Sequence, residues 1–383
     1  MFKVATVFSW IWSVEHALIR MWIPHKIVFA ADIDKYARQT YKANYDIKDD
    51  VFFEDICTID WKQFTNEVDL LVGGSPCQSF SMVWKRKWLS DDRWNLIYQY
   101  VRLVNEIKPK VFIFENVKGL LNHDSWESFK KVLKSFDTLW YHYEYQVLNA
   151  KDYWMPQHRE RVILVWFRDK EIYNKFSFPE KTSLSITMKD LLEDNPDSKY
   201  YLWDKWVSFV TREKNLKKRY TQINWDIALC QKANQQFNRH WDFIKDEFKG
   251  DVHEKYYLSD KLITYVMSSG TKNFYSKPEI DLDIARPLLQ SMHKMHRAGV
   301  DNYISRGDRI RKLTPRECLR LMWYGDAFKI VVSDTQMYKQ AGNSIVVNIF
   351  FHLLPKLGLF DKTISNNIFL LPIVKNKCLK TIL

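Results

Sequence analysis

Short apolar runs alternate with stretches of helical spacing along the first 170 residues, and this alternation sets the fold class. Lys3–Phe8 reads as a first strand, followed by a turn near Ser9–Ser13 and a helix through His16–Met21. Lys26–Ala31 reads as a second strand ending on Asp32 and Asp34, with helical Tyr36–Asn44 after it. Val51–Phe53 leads to Asp55, and Val68–Val72 is a further short strand. Leu96, Tyr100, Leu103, Val104 and Ile107 recur at the 3.6-residue period of one helix face, and Val111–Phe114 and Arg161–Val165 add two more strands. Strands separated by helices of about ten residues imply βαβ units, hence a parallel, doubly wound α/β sheet. In such sheets, ligands collect at the carboxyl ends of the strands.

One strand end carries a distinctive loop, Gly73-Gly74-Ser75-Pro76-Cys77-Gln78. Two glycines let the chain turn sharply as it leaves Val72, and Pro76 fixes φ just before Cys77. A cysteine alone is most often an inert buried hydrophobe. Here Glu115-Asn116-Val117 follows the next strand and reaches the same sheet edge. Gln157-His158-Arg159-Glu160-Arg161 precedes the strand after that and sets two arginines at period-2 spacing toward one face. Each of these alone is compatible with a solvated surface. A thiol, an acid and two guanidiniums on successive strand ends point to chemistry.

From Thr182 onward the alternation weakens, and residues 200–305 are rich in Lys, His, Asn and aromatics. Regularity returns at Leu313–Met322, where Thr314, Pro315 and Glu317 form a helix-start signature. Asn343–Leu354 reads as a final helix. The expected layout is a catalytic domain over 1–198, an irregular insert over 199–307 and a return to the first domain over 308–383. The net charge of +12 favours a polyanionic partner. Five scattered cysteines without C-x-x-C spacing argue against disulfides and zinc and for a reducing compartment. No signal-peptide pattern and no membrane-length apolar run is present, so a cytoplasmic protein is expected.

These motifs, in this order, resemble those of the DNA (cytosine-5)-methyltransferases of bacterial or phage type. The resemblance rests on Pro76-Cys77-Gln78, Glu115-Asn116-Val117, Gln157-x-Arg159-x-Arg161, Arg311–Cys318 and Gln340-x-Gly342-Asn343-Ser344. It implies a Rossmann-like, S-adenosylmethionine-dependent catalytic domain with a smaller target-recognition domain inserted. The residue types suit the chemistry. Carbon 5 of cytosine is a poor nucleophile, and thiolate addition at carbon 6 makes it enamine-like, splitting one hard step into easier ones. The resemblance makes Cys77 that nucleophile and gives Glu115 the charge developing at ring nitrogen 3. It sets Arg159 and Arg161 to steady a flipped-out base and its backbone. Asp32, at the end of the second strand, would bond ribose hydroxyls. Ile33 would pack on adenine and Asp55 would accept from its amino group. Phe8, Pro76, Leu96, Asn343 and Ser344 match further cofactor contacts, as do positions 10 and 12.

At those last two positions the chain departs from the family. The first motif should read F-x-G-x-G, with glycines closing the first turn around the cofactor. This chain has Phe8-Ser9-Trp10-Ile11-Trp12, and two indoles would fill that space. The departure is chain-wide. There are 16 Trp and only 10 Gly, where ordinary usage of about 7% would give roughly 27 Gly. Trp88, Trp94, Trp140, Trp154, Trp166 and Trp323 also stand where the family pattern has Gly. Trp22, Trp84, Trp126, Trp203, Trp206, Trp225 and Trp241 sit in turn-like surroundings, and only Trp61 looks ordinary. One codon, UGA, read as Gly in the source organism and as Trp here, would produce this pattern. As written, the chain should bind S-adenosylmethionine poorly or not at all.

The insert occupies the place of the family's recognition domain. Phe237–His240 and Met292–Arg297 offer donors suited to base edges and phosphates. The histidines lack the i, i+4 spacing of a helical metal site, so no metal is expected. The partner expected is double-stranded DNA, bound by a monomer, in restriction-modification, phage self-protection or solitary methylation. Two other readings stand beside it: a catalytically dead DNA-binding relative, and a tRNA cytosine-5 methyltransferase.

Overall fold

The computed structural model describes residues 1–8, 13–74, 92–122, 126–193 and 282–360, apart from 291–292, 294–296 and 307–308, with short segments between 221 and 279. By contacts the chain divides into two units. The first comprises Met1–Asn149, Glu160–Lys181 and Val347–Ile373, and the second comprises Ala150–Arg159, Thr182–Val346 and Val374–Leu383.

The first unit is built on a seven-stranded sheet: β1 (Phe2–Val7), β2 (His25–Ala31), β3 (Phe52–Phe53), β4 (Leu70–Gly73), β5 (Val111–Val117), β6 (His142–Asn149) and β7 (Glu160–Phe167). Their order across the sheet is β3-β2-β1-β4-β5-β7-β6. The chain runs outward from β1 to β2 and β3, then returns to place β4 on the other side of β1. This reversal is the switch point at which doubly wound sheets bind ligands. The five strands from β3 to β5 are parallel, as the βαβ pattern predicts. The strands β7 and β6 are not. They pair antiparallel with β5 and with each other, which makes the sheet mixed. The hairpin-like return from β6 to β7 explains this, because antiparallel neighbours need no helical crossover.

The helices follow from the apolar periodicities. The helix α1 (Ser13–Arg20) and α2 (Lys35–Asn44) connect the first strands, and α3 (Asp92–Ile107) lies between β4 and β5. On α3 the residues Ile97, Tyr100, Leu103, Val104 and Ile107 are all buried. They join Phe112 and Phe114 of β5 in the core cluster, and the Tyr100 hydroxyl donates to Ile113 O at 3.0 Å. Each such aromatic or branched side chain contributes about 1.5–3 kcal/mol on leaving water. The short α4 (Gly119–Asn122) and α5 (Glu127–Phe136) follow β5, and α6 (Lys170–Lys175) follows β7.

In the second unit α7 (Pro315–Leu321) starts as its sequence predicts. Thr314 Oγ1 accepts from Glu317 N–H at 3.1 Å, and Glu317 accepts from Thr314 N–H at 2.8 Å. The helix expected over Asn343–Leu354 is shorter: α8 (Asp334–Asn343), not expected from the sequence, ends where it was to begin, Ser344 is extended, and α9 (Val347–Leu353) follows. In the insert, read from the sequence as irregular, the described segments include a four-stranded sheet. It comprises β8 (Thr221–Ile223), β9 (Arg239–Phe243), β12 (Arg297–Arg306) and β13 (Arg309–Lys312), with β10 (Gly270–Thr271) and β11 (Phe274–Tyr275) forming a separate pair.

Candidate active site

At the carboxyl edge of the sheet, β4 and β5 run parallel with Gly73 opposite Phe114. The next residues, Gly74 and Glu115, are therefore neighbours. A Cβ on Gly74 would stand 2.4 Å from the Glu115 carbonyl oxygen and 3.2 Å from carboxylate Oε2. A Cβ on Gly73 would meet Val7 Cγ2 at 2.7 Å and Tyr100 at 2.8 Å. Only glycine lets the loop leave β4 along this path. Pro76 and Cys77 lie outside the described residues, as do Trp10 and Trp12.

Glu115 lies within β5 rather than beyond it, because pairing with β7 extends the strand through Val117, opposite Arg161. That register brings Arg161 to the acid. Its Nε donates to Glu115 Oε1 at 2.9 Å, and both side chains are largely buried, at 13% and 15% exposure. In low-dielectric surroundings a charged hydrogen bond of this kind orients both groups. Arg161 Nη1 also donates to Glu160 O at 2.8 Å, and Glu160 pairs with Lys118. Asn116, between Glu115 and Val117, is buried.

The two arginines do not share a face. Arg159 precedes β7, so the alternation of a strand does not extend to it. Within the second unit it is fully buried, donating from Nη1 to Leu288 O at 3.3 Å and from Nη2 to Gly342 O at 2.9 Å and Ser344 O at 2.5 Å. It clamps the Gly342-Asn343-Ser344 turn to the chain near Leu288. A Cβ on Gly342 would lie 2.0 Å from the Leu289 carbonyl carbon, so this turn also requires glycine. Asn343 Nδ2 donates to Gln290 Oε1 at 3.3 Å, and the Ser344 hydroxyl meets that of Tyr324 at 3.3 Å.

The remaining residues expected at the cofactor belong to the first unit. Phe8 leaves β1 half-buried at φ 60°. Asp32, at the end of β2, is buried, and its Oδ1 accepts from Asp34 N–H at 2.8 Å. Asp34 caps α2, accepting from Tyr36 and Ala37 N–H. Between them Ile33 is 80% exposed, an apolar side chain held out beside a buried carboxylate. Asp55 accepts from Cys57 N–H at 2.9 Å, and Leu96 on α3 is half-buried. A buried acid and a bare isoleucine at the end of β2 fit the ribose and adenine of a nucleoside cofactor.

Sequence reasoning missed Glu15. It is fully buried on α1, accepting from Thr6 Oγ1 at 2.8 Å and Tyr41 Oη at 3.2 Å. Burial pushes its carboxyl up to about 7. The available signal was its place three residues before Leu18 on a helix whose apolar face turns inward.

Among the described residues no group of His, Cys, Asp and Glu is arranged to hold a metal ion, and no helix is long and apolar enough to cross a membrane. Most of Phe237–His240 and Met292–Arg297 lies outside the described residues.

The family model for C-5 cytosine-specific DNA methylases matches residues 2–358. The chain belongs to that family. Among curated relatives, it is 28% identical to the orphan methyltransferase M.SPRI of Bacillus phage SPR, over 93% of this chain and 97% of that protein. It is 29% identical to the type II methyltransferase M.HhaI of Haemophilus parahaemolyticus, over 86% and 87%. It is 31% identical to M.HpaII of Haemophilus parainfluenzae, over 84% and 80%. Among solved structures, Spodoptera frugiperda DNMT2 superposes with a TM-score of 0.58 at 18% identity, covering 93% of this chain and 99% of that one. A putative DNA modification methyltransferase from an E. coli prophage gives 0.58 at 18% identity, covering 92% and 97%. At these identities the superpositions establish the methylase fold.

Proposed function

We propose that the chain methylates carbon 5 of a cytosine extruded from a specific double-stranded DNA sequence, through a covalent bond from Cys77 Sγ to carbon 6. S-adenosylmethionine, when bound, supplies an electrophilic methyl group. The observation that carries this reading is the Glu115–Arg161 pair on β5 and β7, with Gly74 of the nucleophile loop packed against Glu115.

Glu115 presents its carboxylate to a base while Arg161 Nε holds Oε1. Protonating or holding ring nitrogen 3 there neutralises the charge that thiolate attack pushes into the ring. Arg161 keeps the carboxylate aimed and brings positive charge to the edge where a thiolate would form. Arg159 acts at one remove, by fixing the Gly342–Ser344 turn. Once carbon 5 carries the methyl group, loss of its proton and expulsion of Cys77 Sγ restore the aromatic ring. Asp32 and Ile33 hold the nucleoside end of the cofactor. The +12 net charge supports binding to the DNA backbone.

The test uses a duplex with 5-fluorocytosine in its sites, incubated with labelled S-adenosylmethionine. Fluorine cannot leave as a proton does, so the methylated adduct stays attached. The expected result is a labelled protein–DNA adduct that Cys77→Ser abolishes, from the chain as written or from its glycine-restored form. DNA binding without adduct in either form would make this a reader of DNA rather than an enzyme.

A further inference from the structure

Seven tryptophans have described side chains, and five of them take left-handed backbone: Trp22 (φ 55°), Trp126 (φ 74°), Trp140 (φ 58°), Trp154 (φ 68°) and Trp323 (φ 67°). Few non-glycine residues adopt positive φ, and those that do are mostly Asn, Asp and His; for a bulky side chain it is an outlier. One such tryptophan would be a local oddity. Five in seven is a rule that needs a cause.

The hydrogen bonds around them give the cause. After α1, Trp22 N–H donates to Ile19 O at 3.0 Å and Ile23 N–H to Leu18 O at 3.0 Å. After α7, Trp323 N–H donates to Arg320 O at 2.9 Å and Tyr324 N–H to Leu319 O at 2.9 Å. Both patterns are the paired 5→2 and 6→1 bonds of the helix stop whose left-handed residue is usually glycine. Trp154 follows the same course after the short helix Ala150–Tyr153, with Met155 N–H donating back to Ala150 O at 3.2 Å. Trp140 closes the helical turn Asp137–Leu139 in left-handed backbone. Gly358, at φ 65°, closes the turn Leu354–Leu357 in that same conformation. Among the described residues, Gly358 performs the task that tryptophans perform elsewhere.

The other two tryptophans serve as internal controls. Trp61 is fully buried, has ordinary backbone, donates from Nε1 to Ile56 O at 3.2 Å and packs on Phe29 at 4.8 Å. It alone was read from sequence as a true tryptophan. Trp166 lies in β7, where backbone suits either residue, and stacks on Phe112 at 4.7 Å.

We infer that the five left-handed tryptophans are glycine positions, that one codon shared by them and by Trp10 and Trp12 is read as glycine in the source organism, and that the functional enzyme carries glycine in its cofactor turn. The accumulated decay of a dead gene does not select left-handed helix ends. A codon reassigned to glycine does, because glycine is what those ends recruit. The codon assignment stands on the backbone geometry of the five helix ends, and only its extension to the cofactor turn rests on the methyltransferase reading, so the first can hold where the second fails.

The protein isolated from its source cells decides the matter by peptide mass. Trypsin releases residues 21–26, 321–329 and 49–62 as separate peptides. The expected result is glycine at 22 and 323 and tryptophan at 61, with UGA at the first two codons and UGG at the third. Tryptophan at 22 and 323 in the native protein overturns the inference. So does glycine at 61, because the substitution would then bear no relation to backbone conformation.

Discussion

Replacing Trp22 and Trp140 with glycine should stabilise the chain as written. Both side chains are largely solvent-exposed, at 83% and 88%, so truncation removes little buried area. What changes is the backbone. A left-handed conformation costs a side-chain-bearing residue about 1–2 kcal/mol. Glycine avoids that cost but gives up about 0.5–1 kcal/mol more in unfolded-state freedom. The net gain is therefore about 0.5–1 kcal/mol per site. Because the two sites share no interactions, the double variant should gain about 1–2 kcal/mol. With a urea slope of about 2 kcal/mol per molar, the unfolding midpoint rises by roughly 0.5–1 M. The Trp22→Ala, Trp140→Ala pair separates backbone from side chain. Alanine keeps the left-handed penalty, so its midpoint should stay within about 0.5 kcal/mol of the parent. Equal stabilisation by alanine and glycine would show that the indoles, not the φ angles, carry the strain, and would refute the reasoning. Trp61→Gly bounds the other end, since emptying a buried indole site should cost about 3–5 kcal/mol.

Arg161→Met leaves the Glu115 carboxylate without its 2.9 Å partner; adduct formation on the 5-fluorocytosine duplex should fall by about 10²-fold or more, while Arg161→Lys retains part of it. Gly74→Ala sets a methyl group 2.4 Å from the Glu115 carbonyl, so the loop or β5 must shift; the same adduct assay should lose more than about tenfold for a 1 Å displacement, and a variant with parental rates would show that the loop does not need this approach. Glu15, raised to about 7 by burial, makes the folded state hold a proton that the unfolded chain has released. Its contribution is complete below the ordinary carboxylate value and is lost as pH rises toward 7, on the order of 3 kcal/mol in all. Glu15→Gln should flatten that decline in urea titrations from pH 5 to pH 8, and an unchanged slope would assign it to another group.

The strands β1, β2, β4 and β5 were legible because most of their residues are buried on both faces and each carries a short stretch rich in apolar residues. The β6 strand was not. His142–Glu144–Gln146 put polar groups on one side, and its middle is exposed at the sheet's edge, so no run marks it. Missing β6 also hid the antiparallel turn of β7, and with it the length of β5 and the true partner of Glu115. The helix over Asn343–Leu354 was misread for a tertiary reason. Arg159 claims the carbonyls of Gly342 and Ser344, which a continuing helix would need for its own amides, and the chain breaks there. Nothing local to 343–354 announces an arginine nearly two hundred residues earlier.

The tryptophans run the opposite way, legible in composition and sharpened by geometry. Composition reveals that Trp is in surplus by about as many residues as Gly is short, but it cannot say which positions are exchanged. Backbone sign can, and it picks out helix ends at 22, 154 and 323 where hydrogen bonding demands glycine whatever the sequence says. At strand positions such as Trp166 it is silent, because φ there is negative for every residue. This asymmetry has a consequence for the cofactor turn. Helix ends tolerate a misplaced indole when it can point into water, as Trp22 and Trp140 do. A turn that must approach a ligand has no such outlet, since the space a side chain would take is the space the ligand needs. The chain as written can therefore keep its fold, at a cost of about 1–2 kcal/mol per left-handed site, and weak binding of the methyl donor is the expected consequence of tryptophan at 10 and 12. Glycine at positions 10 and 12 alone should restore binding of S-adenosylmethionine without the other replacements, and equilibrium dialysis of that double variant against the parent measures it directly. A parent that already binds the cofactor as tightly as the variant would mean that the two indoles stand clear of it.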